Sequence, residues 1–176
     1  MAAHSDRLEH ALSEGEANPV RQAAGLVGFL VLSFAAAGLG SLATMPSIPT
    51  WYAGLEKPFF TPPNEVFPIV WTILYAVMGI AAWLVWRKDA IRSDRKNALT
   101  AFAVQLALNV AWSFVFFGLH STLGGVAVIV LLLIALLWTI GAFRVVSPPA
   151  AALMVPYLAW VTFATALNTG IYVLNG

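Results

Sequence analysis

Gln105, Asn109, Trp112 and Phe116 recur at i, i+4, i+7 and i+11 in an otherwise apolar stretch, so a helix would set two amides and two aromatic rings on one face. Trp71, Tyr75 and Met78 share a face by the same spacing, as do Trp160, Ala164, Leu167 and Asn168, and Ser33, Ala37 and Ser41. Such rows, aromatic beside polar or small residues, would suit a ligand pocket. The same spacing also suits helix packing and interfacial anchoring, which account for most tryptophan and tyrosine in membrane proteins. Trp51, Trp83 and Trp86 lie near the ends of apolar stretches and fit anchoring. Trp71, Trp112 and Trp160 lie beside polar or small residues and fit a pocket.

Other chemistry lacks the residues for it. The chain has no cysteine, which removes disulfides, thiolate metal sites and thiol nucleophiles. No paired carboxylates, nucleophile–base arrangement or phosphate-cradling loop is present, so hydrolytic and transferase chemistry is not expected. His120 falls in a short polar break, while His4 and His10 fall in the polar leader and read as solvated. No metal site is expected. The net charge is +1 and no basic cluster is interleaved with aromatics, which argues against nucleic acid as a partner.

The elements that must position these rows are transmembrane. Of the 176 residues 60% are hydrophobic and 10% charged, against about 25% charged in a soluble domain. A bilayer-crossing helix needs roughly 20 apolar residues. Apolar stretches predict five, over about 22–44, 66–86, 98–118, 123–143 and 150–174. The expected fold is an all-α membrane bundle of five transmembrane helices over residues 22–176, preceded by a polar, mobile tail over 1–21. Asp6, Glu9, Glu14 and Glu16 in that tail, and the length of the first apolar stretch, argue against a cleaved leader. The spans carry no charge and show no internal repeat, which weakens ion-pathway and secondary-transporter readings.

Five spans put the amino terminus and the loops at 87–97 and 144–149 on one side. That side carries Arg7, Arg21, Arg87, Lys88, Arg92, Arg95, Lys96 and Arg144, and the other only Lys57. The positive-inside bias therefore predicts a cytoplasmic amino terminus. On the third span Ala103, Ala107 and Ala111 repeat every four residues, a small-residue seam on which a second copy could dock as a homodimer. Residues 51–71, WYAGLEKPFFTPPNEVFPIVW, then fall outside. They hold four prolines, six aromatics and the only charges between Arg21 and Arg87.

Three stretches, WYAGLEKPFFTPPNEVFPIVWTILYAVMG, QLALNVAWSFVFFG and VPYLAWVTFATALN, resemble in order the signatures of the TspO family, the tryptophan-rich sensory or translocator proteins. The resemblance covers roughly residues 26–175. It implies a five-helix bundle of a bacterial cell membrane, often dimeric. One pocket would bind a tetrapyrrole such as porphyrin or haem, under a lid formed by the first loop; no cofactor is required. By position, Trp71 and Trp160 match the tryptophans tied to porphyrin binding and breakdown. A porphyrin would slide between them, with Tyr75 and Asn109 as polar contacts. Ala164 and Leu167 match pocket-lining positions, and Asn109 and Trp112 belong to the third-helix signature. In the lid, Trp51 would stack, Tyr52 would offer a hydroxyl, and Pro62 and Pro63 would lead into the second helix. Tyr172 is followed by Val-Leu-Asn-Gly, so the cholesterol pattern of eukaryotic relatives is incomplete. The resemblance implies sensing, regulation or transport of tetrapyrroles, or an enzyme degrading porphyrin with light or oxygen.

The charge count makes a topological prediction. A cysteine at Ser93 should resist impermeant thiol reagents in intact cells, while one at Ser47 should react. The opposite labelling pattern reverses the orientation.

Overall fold

The computed structural model describes residues 18–176; the polar residues 1–17, including His4 and His10, lie outside it. Six α-helices build the five spans: α1 (Pro19–Ser47), α2 (Val66–Trp86), α3 (Arg92–Ser113), α4 (Thr122–Val146), α5 (Pro148–Leu153) and α6 (Val155–Asn175). Among the described residues five helical segments, with α5 and α6 counted as one, are long and apolar enough to cross a membrane.

Local chemistry sets the boundaries. Asn18 caps α1, its side chain accepting from the backbone N–H of Val20 at 3.0 Å and of Arg21 at 3.4 Å. Pro19 at the first position needs no donor partner, so the helix takes in residues 19–21, which charge alone assigns to the tail. Helix α3 starts at Arg92, ahead of the apolar stretch, because charge marks where lipid ends and not where a helix must. The fifth span breaks after Leu153: Pro156 has no N–H to donate and its ring crowds the preceding turn.

Among these helices α3 packs along α4, α1 against both α2 and α3, and α4 against α6. Gly79 lets α1 and α2 touch, since a Cβ there would lie 3.1 Å from the Phe29 carbonyl oxygen. Beyond that contact, towards Ser47, the two helices diverge. Helices α2 and α6 do not pack backbone to backbone. The core is buried beneath them, with Phe102 stacked on Phe143 at 6.4 Å and Met78, Leu132, Leu136 and Tyr157 fully enclosed. Val31, Leu42 and Ile134 are each more than half exposed, as suits faces solvated by lipid.

Basic residues gather at one end. There the Trp83 indole donates to the Gln22 carbonyl at 3.0 Å, while Arg21 lies over Trp86 and Arg87 over Trp83. The first two contacts clasp α1 to α2, and all three fit the anchoring role of both tryptophans. The opposite end carries the loop 48–65, with one 3-10 turn at Tyr52–Gly54. Ser47 is buried there and donates to the Phe117 carbonyl at 2.6 Å, so it would report poorly on topology. Exposed Ala53 is the better site: a cysteine there should label with impermeant reagent while one at Ser93 stays protected.

Candidate functional site

The divergence of α1 from α2, and the gap between α2 and α6, leave a cavity of about 430 Å³ at the loop end. That volume lies within the roughly 300–1,000 Å³ of small-molecule sites. Helix α2 contributes Phe67, Trp71 and Tyr75, spaced four apart on one face. Helix α3 contributes Asn109 and Trp112, the π-turn that follows it (Phe114–Gly118) contributes Phe116, and α6 contributes Trp160, Ala164, Leu167 and Asn168. Helix α1 supplies the small residues Ala37, Gly40, Ser41 and Thr44, which leave the space that larger side chains would fill. Exposed Phe34 and Met45 of α1 face exposed Pro68 and Thr72 of α2 across the divergence, so the cavity also opens sideways, where lipid would lie.

The third-helix row points inward. Tyr75 donates its hydroxyl proton to Asn109 Oδ1 at 2.6 Å, and Asn109 Nδ2 donates to the Tyr157 hydroxyl at 2.7 Å. One amide thereby ties α2, α3 and α6 together. Nearer the loop, Trp112 Nε1 donates to Asn168 Oδ1 at 3.0 Å. Gln105 lies behind the cavity, its amide donating to Met78 Sδ at 3.7 Å. Two buried donors of the cavity lining have no partner, Trp160 Nε1 and Asn168 Nδ2. An unmade hydrogen bond at a buried group costs about 1–3 kcal/mol. Both atoms are closed off from the cavity space by their neighbours.

The aromatic geometry corrects one expectation. Trp71 and Trp160 meet edge to face, with centroids 6.5 Å apart and planes at 89°. A planar molecule cannot slide between them, since sandwiching needs parallel faces. They form a corner instead, extended by Phe67 on Trp160 at 5.9 Å and Tyr75 beside Trp71 at 5.7 Å. A flat ligand would lie against this corner, opposite the parallel pair Trp112 and Phe116.

Of the expected site residues, Tyr52, Trp71, Tyr75, Asn109, Trp112, Trp160, Ala164 and Leu167 line the cavity. Trp51 and Pro63 do not. The Trp51 ring turns away to stack on His120 at 4.7 Å and to meet Phe116 edge-on, so it props the wall from outside. Pro63 is exposed just ahead of α2. Tyr52 is buried and roofs the cavity; its burial raises the phenol pKa, and Lys57 lies over its ring at 4.7 Å. Ala103 and Ala107 are exposed on the opposite, outer face of α3, and Ala111 is half-buried.

Sequence reasoning passed over Phe67, Phe117 and Tyr157 as site residues. Tyr157 falls three residues before Trp160 and so on its face, which is a readable signal. Phe117 is not readable, because α3 ends in a π-turn, Phe114–Gly118, whose wider coil brings Phe116 and Phe117 inward together. His120 follows with φ of 54°, turning the chain back into α4. Behind this turn Gly125 has no room for a side chain, since a Cβ would sit 2.6 Å from the Phe116 ring and 2.9 Å from Asn168 Oδ1.

The amide junction yields a stability prediction. Asn109→Ala orphans two hydroxyls and should cost about 1–2 kcal/mol, the upper range for hydrogen bonds between membrane helices. Tyr75→Phe should cost about half that. Thermal unfolding in detergent measures both, and an Asn109→Ala protein as stable as Tyr75→Phe would refute the junction.

The TspO/MBR family model matches residues 29–174. The chain is 42% identical to the tryptophan-rich protein TspO of Archaeoglobus fulgidus over 90% of its own length and 99% of that protein. It is 39% identical to the tryptophan-rich sensory protein of Cereibacter sphaeroides, over 79% and 87% of the two chains. It is also 39% identical to the translocator protein of Bos taurus, over 81% and 85%.

Proposed function

This chain belongs to the TspO/MBR family, and we propose that it binds a tetrapyrrole of the porphyrin or haem type in its intramembrane cavity, for sensing, regulation or transport. The observation that carries this reading is the cavity of about 430 Å³ walled by the Trp71–Trp160 corner and the Trp112–Phe116 pair, with Asn109 and Asn168 on its lining. A porphyrin offers the matching chemistry: a broad apolar face for the ring-lined walls, with carboxylate side chains for the few polar groups of the lining. The sideways opening suits a ligand that partitions into lipid. The sensory and translocator names of the relatives accord with a binding role.

Trp160→Phe tests the assignment because it keeps a ring and reduces the face it offers. Porphyrin affinity, measured by tryptophan-fluorescence quenching, should fall about three- to tenfold, as losing part of a stacking contact worth roughly 1–3 kcal/mol implies. Trp86→Phe, at the basic end, should leave affinity unchanged. Equal effects at positions 86 and 160 would make both packing residues and remove the pocket assignment.

A second reading is light- and oxygen-dependent breakdown of the bound porphyrin, with Trp71 and Trp160 as the catalytic pair. It is favoured by the run of oxidisable rings through Trp160, Trp71, Tyr75 and Tyr157. Porphyrin absorbance that holds steady under illumination as well as in darkness would end this reading and leave binding intact.

The basic end is assigned to the cytoplasm. Two copies are taken to dock through Ala103, Ala107 and Ala111, where Lys96, Leu99, Thr100 and Val104 frame a shallow groove on the outer face of α3. Ala107→Leu would hold the two backbones apart. It should shift the protein to monomer at matched detergent concentration, and an unchanged dimer excludes this seam.

A further inference from the structure

The segment between the Tyr52 turn and α2 is fastened to α6 at three descending levels. Asn175, one residue from the chain's end, makes a two-pronged contact across 119 positions of sequence. Its Oδ1 accepts from the Glu56 N–H at 2.9 Å, and its Nδ2 donates to the Glu56 carbonyl at 2.8 Å. The amide thus treats one residue of the loop as a neighbouring β-strand would. Lower down, Pro58 lies over Gly170, where a Cβ would come within 2.5 Å of the proline ring. Lower still, Phe60 meets Phe163 edge-on at 6.2 Å. The α6 residues at the two ends of this contact, Asn175 and Phe163, lie about 18 Å apart at the helical rise; the four backbone steps from Glu56 to Phe60 reach at most about 14 Å, and the Asn175 amide and the two phenylalanine rings make up the difference. The chain runs as a strap beside α6, without helix or strand over 56–58 and turning at 59–60.

The strap's composition follows from that position. Pro58, Pro62 and Pro63 carry no N–H, so the strap brings few donors to a place with few acceptors. The Thr61 and Val66 N–H groups donate back to the carbonyls of Pro58 and Pro63, at 3.0 Å each. Lys57 donates to the Leu55 carbonyl at 3.0 Å and covers Tyr52, the cavity's roof. A movement at Glu56 is therefore passed to Tyr52 through its immediate neighbour. Pro58 and Phe60 are held only by apolar contact, whereas Glu56 is held by directional bonds that can be made or broken as a unit.

We propose that Asn175 is a positioning residue for the pocket: its amide latches the strap onto α6, and release of that latch opens the cavity at the loop end. Gating of a porphyrin by this latch rests on the tetrapyrrole reading above; the latch itself does not. Two net hydrogen bonds correspond to roughly tenfold more of the open state when they are removed.

Because the chain has no cysteine, Ile171→Cys places a single thiol on the cavity lining, beneath the strap and one turn below Asn175. Its reaction with a water-soluble methanethiosulfonate reports opening without any ligand. Asn175→Ala should speed that reaction about tenfold, and Asn175→Asp, which keeps the acceptor and loses the donor, should give an intermediate rate. The unfolding midpoint should hold within a few degrees in both, which separates a latch from general loosening. An unchanged thiol rate in Asn175→Ala overturns the proposal.

With protoporphyrin as probe and the native Ile171 in place, stopped-flow dissociation should accelerate by a similar factor. A faster thiol reaction with unchanged porphyrin rates would overturn the gate and route the ligand through the sideways opening. A faster thiol reaction with no saturable porphyrin binding in either protein would overturn the tetrapyrrole reading and leave the latch standing.

Discussion

Hydrocarbon offers no hydrogen bonds, so amides and hydroxyls carried into the bilayer must find partners within the protein. Asn109 meets that demand by reaching Tyr75 on one side and Tyr157 on the other, which fixes three helices in register at one level. Asn168 meets half of it, accepting from Trp112 and leaving its own N–H groups without a partner. Trp160 leaves its indole N–H unpaired as well. The satisfied groups hold the cavity's inner wall in register, while the two unpaired donors lie closed off behind its lining.

The cavity exists because two helix pairs fail to close. Gly79 brings α1 onto α2 near the basic end, and the row of small residues on α1 keeps the space beyond that contact empty. Across the bundle α2 and α6 meet through aromatic tips and not backbones, leaving a slot that a helix cannot fill. A proline-rich strap can, since it needs no helical backbone there and brings few donors. The strangest stretch of the sequence is thus the part that must pack on α6 without being a helix. Its aromatic content supplies the contacts, and its charged pair, Glu56 and Lys57, lies at the upper end beside Asn175 and Tyr52.

Much of this was legible in the residues. Apolar length set the number of spans, because the bilayer's thickness fixes how many residues a crossing needs. Spacing by threes and fours set which side chains share a face, and that alone separates the inward row of Asn109, Trp112 and Phe116 from the outward row of Ala103 and Ala107. The resemblance added the pairing of Trp71 with Trp160, which lie far apart in sequence and which no periodicity could join. The start of α1 was less legible, because a capping asparagine and a first-turn proline act over two residues, beneath the reach of a hydropathy window.

What the sequence determined by itself was the set of helices and the faces they present, since both depend on local spacing and on the surrounding lipid. Only the tertiary structure decided how those faces meet. It turned Trp71 and Trp160 edge to face, because the crossing of α2 with α6 fixes ring angles that no spacing encodes. It sent Trp51 out to His120, because the 3-10 turn puts Tyr52 over the cavity in its place. It drew Phe117 inward through a π-turn that breaks the helical period, and it set Asn175 against Glu56, since a side-chain amide will pair with whichever backbone the fold brings within 3 Å.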